Sequence, residues 1–255
     1  MTPERYQTVK RVLDQRQPDL TVITDEVHKG RNLSAIMRSC DAVGIDRMHC
    51  VIPARGFRKF RGTDLGTQKW VETEVYSNVN EPVTRLREQG FRIVAAHLSD
   101  TAVDYREIDY TGPTALLLGA EREGVSQAAL ASADRHVIVP MMGMVESFNV
   151  AVASSIILVE ARHQRQQAGL YDASRMDPLL YRDRLFRWCQ PVAAEFCDAR
   201  GLAYPALDDE GEIIAAPAWY KLVREGTAPL RPSVAAATTA ADQGGSVRLE
   251  DFLTE

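Results

Sequence analysis

Short apolar runs alternate with amphipathic stretches along most of the chain. The runs Leu20 to Thr24, Met48 to Ile52, Phe91 to His97, Ala115 to Gly119 and His136 to Val139 are rich in Val, Ile, Leu and Ala, the pattern of strands buried on both faces. Thr2-Pro3-Glu4 supplies an N-cap, a proline and an early acid, and opens a helix to about Gln15. Further helices are predicted over Leu33 to Val43, where Gly44 ends it, and near Glu81 to Gln89 and Gln127 to Ala131. Strands and helices in alternation predict an α/β fold, a mainly parallel sheet flanked by helices. A longer helix from Asn149 to about Gln167 puts Val150, Ala153, Ile157 and Ala161 near one face, and others follow at Pro178 to Cys189, Pro191 to Ala199 and Ala218 to Arg224. After Gly226 large apolar residues thin out, so a mobile tail is expected.

The junction from Ile138 to Ser154 carries the strongest chemical signal. An apolar strand meets Pro140, which cannot extend a ladder, and Gly143, which tolerates a positive φ, and then enters a helix. Ser147 or Asn149 is placed to cap that helix, whose first amides lack partners and can receive a polar ligand group. Met141, Met144 and Phe148 offer soft apolar surface to a flat ring.

Composition narrows the function class. The 255 residues are 45% hydrophobic and 25% charged, ordinary for a globular protein with one main domain. No apolar run approaches a membrane span, and the opening Met-Thr-Pro-Glu-Arg-Tyr lacks a signal core, so a cytoplasmic protein is expected. Cys40, Cys50, Cys189 and Cys197 are not spaced as zinc ligands and read as reduced core thiols, and the histidines form no metal motif. No Gly-x-Gly-x-x-Gly run, Walker loop or Gly-x-Ser-x-Gly elbow occurs. Net charge is −5, yet residues 1–70 hold thirteen Lys and Arg against eight Asp and Glu, so a basic face can still take an RNA backbone.

Three ordered motifs place these signals in a family. Asn32-Leu33-Ser34-Ala35-Ile36-Met37-Arg38, Leu117-Leu118-Gly119-Ala120-Glu121-Arg122-Glu123-Gly124, and the junction with Pro140, Gly143, Ser147, Asn149 and Val150 together resemble the motifs of the SpoU branch (the SpoU/TrmH family) of the SPOUT methyltransferase superfamily. Similar wording at Gln15 to Thr21, His97 to Asp100 and Tyr105 to Tyr110 points to its members that methylate the ribose 2′-hydroxyl of guanosine 18 in the tRNA D-loop. The likeness covers residues 1 to about 225. It implies a deep trefoil knot, which ordinary connection rules would argue against, S-adenosylmethionine (AdoMet) as methyl donor without a metal, a tRNA substrate and a homodimer.

The resemblance also assigns residues. It implies donor contacts from Ala96, His97, Leu98, Gly119, Ile138, Val139, Met141, Ser147 and Phe148, many of them through backbone atoms. Arg38 becomes the central catalytic residue, although spacing alone would pair it with Asp41 at i+3. Asn32, expected to cap the helix of Arg38, joins Glu121, Ser147 and Asn149 in orienting Arg38 and the ribose. For RNA, the basic run Arg55, Arg58, Lys59 and Arg61 with its interleaved phenylalanines is one candidate surface, and Arg5, Arg11, Arg162 and Arg165 are others. The expected organisation is a methyltransferase domain over 1–168 including an N-terminal helix over 1–17, a helical extension over 169–225 and a tail over 226–255. Ribosomal RNA or another tRNA position is the alternative substrate. Relatives acting on ribosomal RNA often carry a separate N-terminal RNA-binding domain, whereas here the first motif is reached by residue 32. An RNA-binding module without catalysis is the reading from another class.

Overall fold

The computed structural model describes residues 1–52, 69–120 and 124–231. They divide into two compact units, one of residues 16–172 and one in which residues 1–15 join those from 173 onward.

The first unit holds strands β1 (Leu20–Asp25), β2 (Arg47–Val51), β3 (Glu72–Tyr76), β4 (Arg92–Ala96), β5 (Val103–Asp104), β6 (Thr114–Leu118) and β7 (Arg135–Ile138). They form one sheet in the order β3-β2-β1-β6-β4-β7-β5, with every neighbouring pair parallel. The central strands β1 and β6 are buried along their whole length, as their unbroken apolar runs require. Side chains of β6 alternate between two apolar layers. Leu116 and Leu118 join the layer under α2 (Gly30–Ala42) and α5 (Val150–Gln167), with Leu33, Ile36, Met37, Ile157 and Leu158. Ala115 and Leu117 join the opposite layer with Val83 and Leu86 of α3 (Asn80–Glu88) and Ala129 of α4 (Gln127–Ala131). Each fully buried Leu or Ile contributes roughly 1.5–3 kcal/mol, so these layers are the main source of cohesion.

α2 begins at Gly30, after Lys29, which offers no side-chain cap. Asn32 is therefore not the expected cap; it is buried in the first turn, with its backbone N–H donating to the Lys29 carbonyl at 2.9 Å. Two strands were not expected from the sequence. β3 alternates Glu72 and Glu74 with Thr73 and Val75 and is only half-buried along its length, and β5 has two residues.

In the second unit α1 (Pro3–Asp14) buries Tyr6, Val9 and Leu13, and the Tyr181 hydroxyl of α6 (Pro178–Cys189) donates to Asp14 at 2.9 Å. The N-terminal helix, expected to go with the sheet, thus groups with the C-terminal helices. α7 (Pro191–Asp198) and α8 (Ala216–Arg224) supply Cys197 and Trp219 to a small core with Leu202. The expected tail lies outside the described residues from 232 onward.

Candidate active site

β6, β4 and β7 are adjacent in the sheet, so the loops leaving their carboxyl ends meet, the usual position for a ligand crevice in a parallel sheet. Here they enclose a cavity of about 400 Å³, within the range of small-ligand sites. Ala96, His97 and Leu98 come from the end of β4, Gly119 with Gly124 from the loop after β6, and Ile138, Val139 and Met141 from the end of β7. Ser147 and Phe148 close it ahead of α5, which adds Val150, Ala153 and Ile157. Every residue expected to contact the donor lines this one cavity. Sequence reasoning missed Glu146 and Gly124 on its wall, although both stand inside the quoted motifs.

Gly119 has a steric reason to be glycine. A Cβ there would lie 2.1 Å from the Gly124 carbonyl carbon and 2.2 Å from the Val125 nitrogen, far inside any tolerated contact. Ala120 and Gly124 exchange two backbone hydrogen bonds of 2.9 Å, and Gly124 has φ +70°, the left-handed region. Gly119 and Ala120 thus meet Gly124 and Val125 backbone to backbone. Ala120 can offer hydrogen bonds only through its peptide groups. Glu121 lies outside the described residues.

At the mouth of α5, Asn149 is the cap: its Oδ1 accepts from the Ala151 N–H at 2.9 Å, which decides between the two cap candidates. Its Nδ2 faces Asn32 Oδ1 at 3.4 Å, tying the first motif to the third. Ser39 and Ser155 are joined Oγ to Oγ at 2.7 Å, fixing α2 on α5. Arg38, on the outer side of α2, is exposed and makes no hydrogen bond or ion pair among the described residues. Asp41, the partner that i+3 spacing offered it, instead binds Arg16 Nη2 at 2.7 Å. Arg38 does not line the cavity of its own chain, but its charge is not spent on any described residue.

His97 stacks edge to face on His136 with ring centroids 5.5 Å apart, and Ser99 Oγ lies 2.8 Å from His136 Nδ1. Burial first, and the neighbouring His136 second, push the His97 pKa down, so the ring is neutral at neutral pH. Cys40 is buried and its thiol is pushed up to about 12 by burial, which leaves it unreactive. No group of three metal-ligating side chains occurs among the described residues, and none of their helices is long and apolar enough to cross a membrane.

Residues 19–159 match the SpoU rRNA methylase family model and residues 163–216 match the SpoU rRNA methylase C-terminal model. The chain belongs to the SpoU methylase family. It is 45% identical to the tRNA (guanosine(18)-2′-O)-methyltransferase of Escherichia coli K12, over 86% of this chain and 97% of that one. Its fold is similar to the A. aeolicus TrmH/SpoU tRNA modifying enzyme, with TM-score 0.67 and 38% identity over 72% of this chain and 94% of that one. The AdoMet-bound rRNA methyltransferase from Sinorhizobium meliloti gives TM-score 0.51 and 28% identity over 60% of this chain and 59% of that one.

As a family member the chain has its cations in several places. Arg5 and Arg11 are exposed on α1, and Arg162 is exposed on α5. Arg165 is a correction. It is 0% exposed, with its guanidinium donating to Tyr110 O at 2.8 Å, Gln17 Oε1 at 3.0 Å, Asp19 Oδ1 at 2.7 Å and Gly112 O at 2.9 Å. Those bonds consume the donors an RNA phosphate would need, so Arg165 is a core brace. Arg16 is likewise buried and donates to Ile45 O at 2.8 Å and Trp70 O at 2.9 Å. Arg55, Arg58, Lys59 and Arg61 lie outside the described residues.

Proposed function

We propose that this chain transfers a methyl group from AdoMet to the ribose 2′-hydroxyl of guanosine 18 in tRNA, in the cytoplasm and as a homodimer. The observation that carries the reading is the 45% identity to the E. coli enzyme across nearly that enzyme's whole length, joined to a cavity that the second and third motifs build with the end of β4. The same likeness across the C-terminal helices favours tRNA over ribosomal RNA.

The residues present suit the donor. Gly119 and Gly124, without side chains, present only backbone to the cavity, and Leu98, Met141 and Phe148 give apolar surface for a base. When bound, AdoMet supplies a methyl group on a cationic sulfur. The three loops fix one direction of approach, and alignment of this kind lowers a displacement barrier by several kcal/mol. Arg38 stays protonated, since a guanidinium does not give up its proton in proteins. We assign it to steadying the negative charge that grows on the 2′-oxygen, or to gripping the adjacent phosphate while water takes the proton. Ser147 and the Asn149–Asn32 pair position the ribose. The threading into a knot belongs to the same reading: β6 lies between β1 and β4, and β7 between β4 and β5, strands that precede them in the chain.

The test is to incubate the protein with methyl-labelled AdoMet and an unmodified tRNA transcript and map the label. Label on the 2′-oxygen of guanosine 18, lost in Arg38→Ala, is expected. Label on another nucleotide, or none, overturns the reading.

A further inference from the structure

We propose that Glu146 is a charge-selective contact in the donor site, favouring the cationic methyl donor over the neutral thioether that remains after transfer. This rests on the function proposed above.

Glu146 reaches the cavity from the turn just before α5. Among the described residues that line the cavity, the only ionisable side chains are Glu146 and His97. His97 is neutral at neutral pH, because burial and its neighbour His136 disfavour the imidazolium. The rest of the lining is aliphatic, aromatic, Ser147 or bare backbone. Glu146 is therefore the one full charge that these lining residues present to a ligand. It is exposed and makes no hydrogen bond or ion pair among the described residues, so its charge is not spent on any of them.

The two ligands differ by that feature. In the transfer the sulfur–methyl bond breaks and its electron pair stays on sulfur, a new carbon–oxygen bond forms, and the hydroxyl proton leaves to solvent. The donor sulfur carries a positive charge before the step and none after it. The ammonium and carboxylate of the amino-acid end are the same in both. A carboxylate beside an apolar wall attracts the sulfonium form, while a thioether gains almost nothing from it. Solvent at the exposed side chain keeps the effect modest, about three- to tenfold in affinity. Such a preference helps the spent cofactor leave in exchange for fresh donor.

The test is calorimetric titration of the full-length protein with AdoMet and, separately, with S-adenosylhomocysteine, comparing wild type, E146Q and E146D. E146Q should weaken AdoMet about three- to tenfold and S-adenosylhomocysteine less than twofold, and E146D should recover most of the loss. Raising salt should shrink the wild-type preference and leave that of E146Q unmoved. Equal weakening of both ligands would overturn the proposal, since the carboxylate would then serve the amino-acid end. So would no change in either. Wild type that binds neither ligand would overturn the donor site itself along with it.

Discussion

At the scale of single residues, two positions show how local geometry decides what a motif letter does. Gly119 is fixed by the backbone facing it, with 2.1 Å between a would-be Cβ and the Gly124 carbonyl carbon. In Gly119→Ala the added methyl collides with the Gly124 and Val125 backbone, which must shift. We expect AdoMet affinity to fall by at least about tenfold, roughly 1.4 kcal/mol, with a smaller loss of stability of about 1–3 kcal/mol from overpacking; calorimetry and thermal melts on the same sample separate the two. Arg165 makes the opposite point. Its sequence neighbourhood, Arg162-His163-Gln164-Arg165, has the composition of a solvated helix end, and only the fold reveals that one of its two arginines turns inward. Arg165→Met removes an ion-pair partner of Asp19 and takes away the Arg165 donor that the Tyr110 carbonyl accepts from, which should cost about 3 kcal/mol or more. Below the lowered melting temperature tRNA affinity should stay within about twofold, whereas a phosphate contact would show as a weaker salt dependence of binding. What was legible here was residue type and spacing; which way a side chain points was not.

At the scale of elements, legibility followed burial. β1, β6 and α6 could be bounded from the sequence because apolar runs and proline caps mark them, with Asp177 accepting from both Leu179 and Leu180 N–H groups at the start of α6. β3 escaped because its outward face is charged. In the parallel register Arg47 faces Glu72 and His49 faces Glu74, and Arg47 binds Glu72 at 2.7 Å and Glu74 at 2.7 Å while Arg85 of α3 also binds Glu74 at 2.8 Å. Such a network is a property of strand pairing and looks like surface in one dimension. It also makes stability depend on pH. Burial lowers the His49 pKa below 6.5 despite the pull of Glu74, so in acid the unfolded chain takes up this proton first. Stability therefore falls as pH drops below about 6.5. Burial would raise Glu74, but the hydrogen bond from His49 and the charge of Arg47 outweigh it and hold the carboxyl at about 2. That stabilisation, on the order of 2 kcal/mol, is present above pH 4.5 and is lost as pH falls toward 2. Melting curves from pH 8 to pH 3 should show two declines, with His49→Gln flattening the upper one and Glu74→Gln the lower. A wild-type melting temperature that stays constant between pH 7 and pH 5 would remove His49 from this account.

At the scale of the whole molecule, strand order was hidden from the sequence. Nothing local tells β6 to enter between β1 and β4, or β7 between β4 and β5; those neighbours are chosen by packing, and with them the cavity. Assembly is decided at the same scale. Val152 and Val159 are seven residues apart on α5, hence on one face, and are 46% and 56% exposed. Met142, Met144 and Val145, in the turn before α5, are exposed as well. Scattered exposed valines need no explanation, but apolar residues exposed together on one helix face suit an interaction surface. A second copy presenting the same face would cover it around a twofold axis, since a surface of this kind is self-complementary. The expected particle has twice the chain mass of 28.4 kDa. Val152→Glu combined with Val159→Glu should replace apolar contact with like-charge repulsion across the axis and yield monomers in sedimentation velocity runs. Because both side chains are already exposed, circular dichroism should be unchanged, so loss of the dimer is distinguishable from loss of the fold. A wild-type protein that sediments as a monomer at tens of micromolar, or a double variant that remains dimeric, would assign this apolar face to something other than a second copy.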